Sequence, residues 1–240
     1  GAMDSRESAL HSAEALIRTG EHPHRRRPEG PPPPAFTIAF SREAGSGGTL
    51  VAREVGRRLN WPVYDRELLE HLANELQVDV DQLQYVDERP GSWLVDTLKA
   101  FAAAATVTEV TYFRRLLNLL LALGAQGECV IVGRGASFVL PVDTTLRVRL
   151  LASRQDRIAL LCREHGLDPT EAARYVETTD RERMRFLKGH FHKDPTDPQL
   201  YDLVLNASRF SVEECAAIII EALHRLQARK AAAGQGQASS

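Results

Sequence analysis

The sequence predicts a doubly wound α/β fold, a parallel five-stranded sheet covered by helices on both faces. Three observations carry this. Short apolar runs recur as strands, with helix-period segments between them. A glycine cluster stands directly between the first strand and the helix that follows it. Roughly sixty residues of mostly helical pattern then separate the second strand from the third.

Composition narrows the class. The chain has 240 residues, 43% hydrophobic and 26% charged, with 30 basic against 32 acidic side chains. That is an ordinary globular composition, long enough to bury a real core, and it excludes a disulfide-stapled miniprotein. A net charge of -2 supplies no whole-chain field for nucleic acid or an anionic membrane, so neither partner is expected and phosphate binding has to be local. The longest apolar run, Leu116 to Leu123, is broken by Asn118 and falls far short of the roughly 18 residues of a membrane span. Cys129, Cys162 and Cys215 sit among apolar neighbours in no ligand pattern, which reads as reduced, buried thiols in a cytoplasmic protein.

Taken in order, residues 1–35 combine a tag remnant at Gly1 to Met3, a short amphipathic helix over Ser5 to Arg18 and a Pro-rich linker from Gly20. Within it, Arg25 to Arg27 reads as a solvated run. The folded unit, 36–230, opens with the buried strand Phe36-Thr-Ile-Ala-Phe40. The loop Ser41 to Thr49 leads into a helix through Leu59, with Val51, Val55 and Leu59 at helical spacing. Pro62 to Asp65 is a second strand, followed by a helix over Glu67 to Gln77. Asp79 to Val86, Trp93 to Ala105 and Val107 to Leu123 continue in helical pattern. Cys129 to Val132 and Leu146 to Leu151 are strands three and four. Arg154 to Glu164 is helical, Asp168-Pro-Thr-Glu171 starts another helix, and Arg174 to Lys188 carries it on. Leu203 to Leu205 is the last strand. Ser211-Val-Glu-Glu214 is a capping-box start to a final helix ending near Arg229, and residues 231–240 read by composition as a disordered tail.

In such sheets a ligand sits beyond the carboxyl ends of the strands, where the glycine loop, Asp65 and the turn Gly133-Arg134-Gly135 all fall. Glycines let consecutive backbone N–H groups converge on a phosphate, and the helix N-terminus adds its positive dipole. Gly45, Ser46, Gly47 and Gly48 supply that curvature. Against the pattern G-x-x-x-x-G-K-S/T, Gly47 takes the second glycine and Thr49 the hydroxyl that contacts magnesium. Arg42 stands at the first glycine and Gly48 at the lysine. Arg42 is therefore the cation placed to reach the phosphates in place of that lysine. Arg181, Arg185 and Lys188 recur at i, i+4 and i+7, three cations on one helix face. His190 and His192 lack a third ligand and read as exposed loop residues.

Four ordered motifs carry a family resemblance: Ser41-Arg-Glu-Ala-Gly-Ser-Gly-Gly, Trp61-Pro-Val-Tyr-Asp-Arg-Glu-Leu-Leu, Val132-Gly-Arg-Gly-Ala and Tyr201-Asp-Leu-Val-Leu-Asn-Ala-Ser-Arg. Together they resemble the cytidylate kinase-like family of P-loop proteins over about Phe36 to Leu226. The resemblance implies a three-layer P-loop fold with a helical acceptor-binding insert over 66–126 and an arginine-rich lid over 174–195. It implies ATP and Mg2+ as cofactors, with Arg42, Arg181 and Arg185 catalytic and Gly45 to Thr49 on the nucleotide phosphates. Asp65, Arg134 and Arg157 match positions that implicate them at the acceptor. The chain departs from true cytidylate kinases where Gly135 replaces an acid and His71 an arginine. The expected activity is ATP-dependent phosphoryl transfer to a nucleoside monophosphate, with a CMP-like acceptor favoured. The alternative, drawn from Gly48 and Gly135, is a catalytically weak nucleotide-binding regulatory module.

Overall fold

The computed structural model describes residues 7, 10, 11, 13, 35–75, 99–103 and 105–237. The expected linker, the helix over Asp79 to Val86 and the start of the one at Trp93 lie outside these residues. Five strands form one sheet: β1 (Thr37–Arg42), β2 (Val63–Tyr64), β3 (Cys129–Val132), β4 (Thr145–Leu151) and β5 (Leu203–Asn206). Their order is β2-β3-β1-β4-β5 and every pairing is parallel, with Ile38 opposite Val130 on one side and Leu146 on the other. β1 thus has a neighbour on each side: the chain leaves it toward the β2 edge and later crosses past it from β3 to β4. That arrangement opens a crevice at the carboxyl end of β1.

Seven helices complete the described chain: α1 (Gly48–Leu59), α2 (Arg66–Glu75), α3 (Val107–Gln126), α4 (Ala136–Val139), α5 (Arg154–His165), α6 (Pro169–Phe191) and α7 (Val212–Gln237). Residues 99–102 add a short helical turn. Strand alternation divides the core. Ile38 and Phe40 face Val51 and Val55 of α1 and Cys215, Ile219 and Leu223 of α7. Ala39 faces the other way, among Leu69 and Leu72 of α2 and Leu116 and Leu120 of α3. Its small side chain lets α4 come close enough for the Ser137 hydroxyl to donate to the Ala39 carbonyl at 3.5 Å. Leu161 of α5 and Ala172 and Val176 of α6 form a third, smaller cluster. In the N-terminal arm, Ala13 is fully buried in the second core, with Leu10 packed against it.

Capping sets several helix boundaries. The Thr106 side chain accepts from the Glu109 N–H and Glu109 accepts back from Thr106. Asp168 and Glu171 do the same for α6, as do Ser211 and Glu214 for α7. Against the expected end near Arg229, α7 continues through Gln237. Ala231 to Ala233 have the highest helix propensity and carry the helix onward, which a reading of the tail by composition overlooks.

Phe113 is fully buried, with Phe101, Phe191 and His190 centred 4.9, 5.4 and 4.8 Å from its ring. Phe113→Ala should lower the unfolding free energy by about 3–5 kcal/mol in urea titration.

Candidate active site

The crevice is built on the exit of β1. The Gly133 N–H donates to the Phe40 carbonyl at 2.9 Å, which draws the β3 turn alongside, and Glu43 N–H donates to Leu150 of β4 at 3.1 Å. Between these the chain turns through Glu43 to Gly47. The Ser46 hydroxyl donates to the Glu43 carbonyl at 2.8 Å, and α1 begins at Gly48 with no acid in its first turn. Its N-terminal dipole is therefore left uncompensated by its own side chains. The loop is braced from behind: Ala44 N–H donates to Asp180 Oδ1 of α6 at 2.7 Å, and Ala152 N–H to Glu43 Oε2 at 3.1 Å.

Beside the loop lies a cavity of about 210 Å³ lined by five arginines, Arg42, Arg66, Arg134, Arg149 and Arg183. Arg42 crosses it. A Cβ at position 48 would stand 2.6 Å from the Arg42 Cβ, and one at position 133 would stand 2.6 Å from its Nη1. A side chain at 48 would run into the Arg42 stem at its Cβ, so glycine there follows from its path, whereas Gly133 is required by its left-handed backbone at φ 83°. Burial, and after it the charges of Arg183, Arg66 and Arg134, bring the Arg42 guanidinium from its ordinary value down to about 9, with Asp65 opposing. Arg134 is brought to about 10 by burial and by Arg66 and Arg183, and Arg183 is lowered chiefly by burial. The Nε atoms of Arg42, Arg134 and Arg183 are buried without a hydrogen-bond partner. Like charges and unused donors gathered at a helix N-terminus suit a polyanion.

Other contacts hold the cluster in place. Arg183 Nη1 donates to the Arg42 carbonyl at 3.2 Å. The Arg134 guanidinium lies 4.4 Å over the Phe186 ring and pairs with Glu70. Arg149, only 9% exposed, donates to Ser41 Oγ at 2.8 Å, and its guanidinium lies 5.6 Å from the Tyr201 ring. The Tyr201 hydroxyl donates to Ser41 Oγ at 3.2 Å or to the Pro195 carbonyl at 2.9 Å.

Of the residues singled out in the sequence, Arg42 and Arg134 line this cavity, and Gly45 to Thr49 form the adjoining loop and the first residues of α1. Asp65 lies at its edge: it caps α2 by accepting from Leu68 N–H at 3.0 Å, and its Oδ2 is 3.6 Å from Arg53. Arg157 is elsewhere than expected. Its Nη1 donates to Asp180 Oδ2 at 2.5 Å and to the Ala44 carbonyl at 3.3 Å, so it braces the outside of the glycine loop and does not reach the Arg134 side. Arg181 and Arg185 are also displaced from expectation: with Lys188 they occupy the exposed face of α6. Arg183 points inward instead, since two residues along a helix turn the side chain through about 200°. The signal was present in Val176, Thr179, Phe186 and His190, whose steps of three, seven and four residues mark one inward face that also contains position 183. Arg66 and Arg149 were also missed, the second being a charge inside a buried strand. His190 is not in an exposed loop. It stacks on Phe101 at 4.5 Å, contacts the Phe186 ring at 4.2 Å and pairs through Nδ1 with the Phe186 carbonyl, and burial lowers its pKa.

Among the described residues no group of three or more His, Cys, Asp and Glu gathers as a metal cage. Mg2+ carried largely by phosphate oxygens needs none, and Thr49 at the start of α1 offers a hydroxyl ligand. The glycine loop and the unpaired arginine donors fit the phosphates themselves.

A parallel sheet of this order, with a glycine loop at the end of its central strand and an arginine-lined cavity beside it, defines a P-loop phosphotransferase. The chain belongs to the cytidylate kinase-like family, whose sequence model matches residues 37–209. It is 27% identical over 208 residues to a cytidylate kinase of Methanopyrus kandleri, covering 82% of this chain and 97% of that one. A cytidylate kinase of Pyrobaculum islandicum is 27% identical over 190 residues, 77% of this chain and 90% of the relative. Among solved structures, an uncharacterized protein from Eubacterium ventriosum superposes with a TM-score of 0.65 at 23% identity, over 79% of this chain and 98% of the other, a likeness of fold.

Arg42 bears a folded-state pKa below its unfolded value, so its charge costs folding free energy at every pH below about 9, a cost that fades as pH rises from there toward the ordinary arginine range. Arg42→Met keeps the stem and removes the charge. In anion-free buffer at pH 7 it should be more stable than the parent by about 2 kcal/mol in urea titration, and it should lose the stabilisation that added phosphate gives the parent.

Proposed function

We propose that the protein transfers the γ-phosphoryl group of Mg-ATP to a nucleoside monophosphate, with CMP the favoured acceptor. The observation that carries this is the convergence of Arg42, Arg66, Arg134 and Arg183 on one cavity at the carboxyl end of β1, with buried donors left unpaired. The cytidylate kinases among its relatives support the choice of acceptor.

In this reading the backbone N–H groups of Gly45 to Thr49 and the dipole of α1 hold the ATP phosphates, and Thr49 takes one place on Mg2+. Arg66 and Arg134 hold the acceptor phosphate. An acceptor phosphate oxygen attacks the γ-phosphorus, the bond to the β–γ bridging oxygen breaks, and ADP leaves with that electron pair. Charge spreads over the transferring group's oxygens, and Arg42 and Arg183 meet it from the β1 exit and from α6. The buried Arg42 is already in position and desolvated before the reaction, so little reorganisation accompanies the step. Arg181 and Arg185, on the exposed face of α6, act at most as long-range charge in this arrangement. Reduced thiols at Cys129, Cys162 and Cys215 fit a cytoplasmic setting. Among the described residues no helix is long and apolar enough to cross a membrane.

Gly48 at the usual lysine position favours a second reading, a nucleotide sensor with little turnover. One experiment separates them. Incubation with Mg-ATP and each of CMP, dCMP, UMP, AMP and GMP, followed by anion-exchange chromatography, should yield CDP and ADP in equal amounts. Mg-ATP binding with no diphosphate from any acceptor supports the sensor. Arg42→Ala should lower kcat by about 100-fold or more, whereas Arg134→Ala should chiefly raise the KM for CMP.

A further inference from the structure

Glu70 contacts two of the cavity's arginines at once. It lies one turn after Arg66 on α2, and Arg66 Nε donates to its Oε1 at 3.2 Å. The same oxygen pairs with Nη2 of Arg134, which comes across from the β3 turn. Arg66 and Arg134 both line the cavity, and Arg134 is held from its other side by the Phe186 ring. Of the other acids nearby, Asp180 and Glu43 accept from backbone N–H groups of the glycine loop and the β4 exit, and Asp65 accepts from Leu68 N–H and faces Arg53. Glu182 lines the cavity without such a pair.

We propose that Glu70 is a built-in stand-in for the acceptor's phosphate: its carboxylate holds Arg66 and Arg134 until a phosphomonoester displaces it. This rests on the acceptor assignment above and adds to it a specificity device. A carboxylate offers two oxygens and one charge. A phosphomonoester dianion offers three terminal oxygens and close to two charges, so it outcompetes the side chain, whereas a monoanionic carboxylate ligand has no such advantage. Glu70 thereby selects for dianionic acceptors, and the measured affinity is the intrinsic one scaled by the fraction of molecules in which Glu70 has let go.

The test is calorimetric titration of the full chain with inorganic phosphate and with CMP, in the parent, Glu70→Gln and Glu182→Gln. Glu70→Gln should bind both ligands about three- to tenfold more tightly and bind Mg-ATP unchanged, while Glu182→Gln stays within about twofold of the parent. In steady state the KM for the acceptor should fall without a rise in kcat. Acetate should gain relative to phosphate in Glu70→Gln. Unchanged or weaker binding in Glu70→Gln would make Glu70 a positioning residue for Arg134 and overturn the proposal, even if CMP is turned over normally. Equal tightening in Glu182→Gln would overturn it too, since general charge alone would then suffice. If no form binds a phosphomonoester and no diphosphate is made, the acceptor assignment and this proposal fall together.

Discussion

Arg42 has to keep a positive charge while buried beside three other arginines, and much of the site is arranged around that requirement. Its side chain runs from the end of β1 across the start of α1 to the β3 turn, which leaves no room for a side chain at position 48. In the proposed function the cation on the phosphates comes from the end of the strand, and glycine stands at the helix position that usually carries it. The guanidinium reaches in from the last residue of β1, whose backbone is paired with Leu150 of β4, so its Cα is fixed by the sheet.

Keeping such a cluster together takes partners on every side. Asp180 and Glu43 tie the glycine loop down from outside, Arg149 and Tyr201 converge on Ser41 next to Arg42, and Glu70 spans Arg66 and Arg134. Several of these contacts come from α6. At Asp180 it touches the loop, at Arg183 the cavity, at Phe186 the Arg134 guanidinium, and at His190 and Phe191 the aromatic ring cluster around Phe113. A single helix therefore links the proposed nucleotide and acceptor sides with the packing of α3.

The framework was legible because its signals are local and redundant. Each strand is a short apolar run set between helical periods, and the glycine loop follows β1 directly. Arg42 could be found because it sits at a defined offset in that loop, and Arg134 because glycines flank it. The arginines of α6 were misplaced for a physical reason: spacing groups Arg181, Arg185 and Lys188 on a face but does not say which face is buried. Only the apolar residues of the same helix decide that, and they select Arg183. Arg157 was assigned by likeness, and its ion pair with Asp180, 23 residues away on another helix, leaves no trace in local sequence. His190 was misread because its environment comes from Phe101 and Phe113 on remote segments.

The contacts along α6 also restrict how this protein can vary in length. Asp180, Arg183, Phe186 and His190 meet four different surroundings from one side of a continuous helix, each a turn or so from the next. Inserting or deleting a single residue among them rotates everything downstream by about 100° and moves it by about 1.5 Å. Arg183 or Phe186 would swing away while a neighbour from the solvent side took its place, unless a bulge absorbed the change locally. Indels accumulated by descent should therefore collect in the connections flanking this helix and spare the stretch between Asp180 and Phe191.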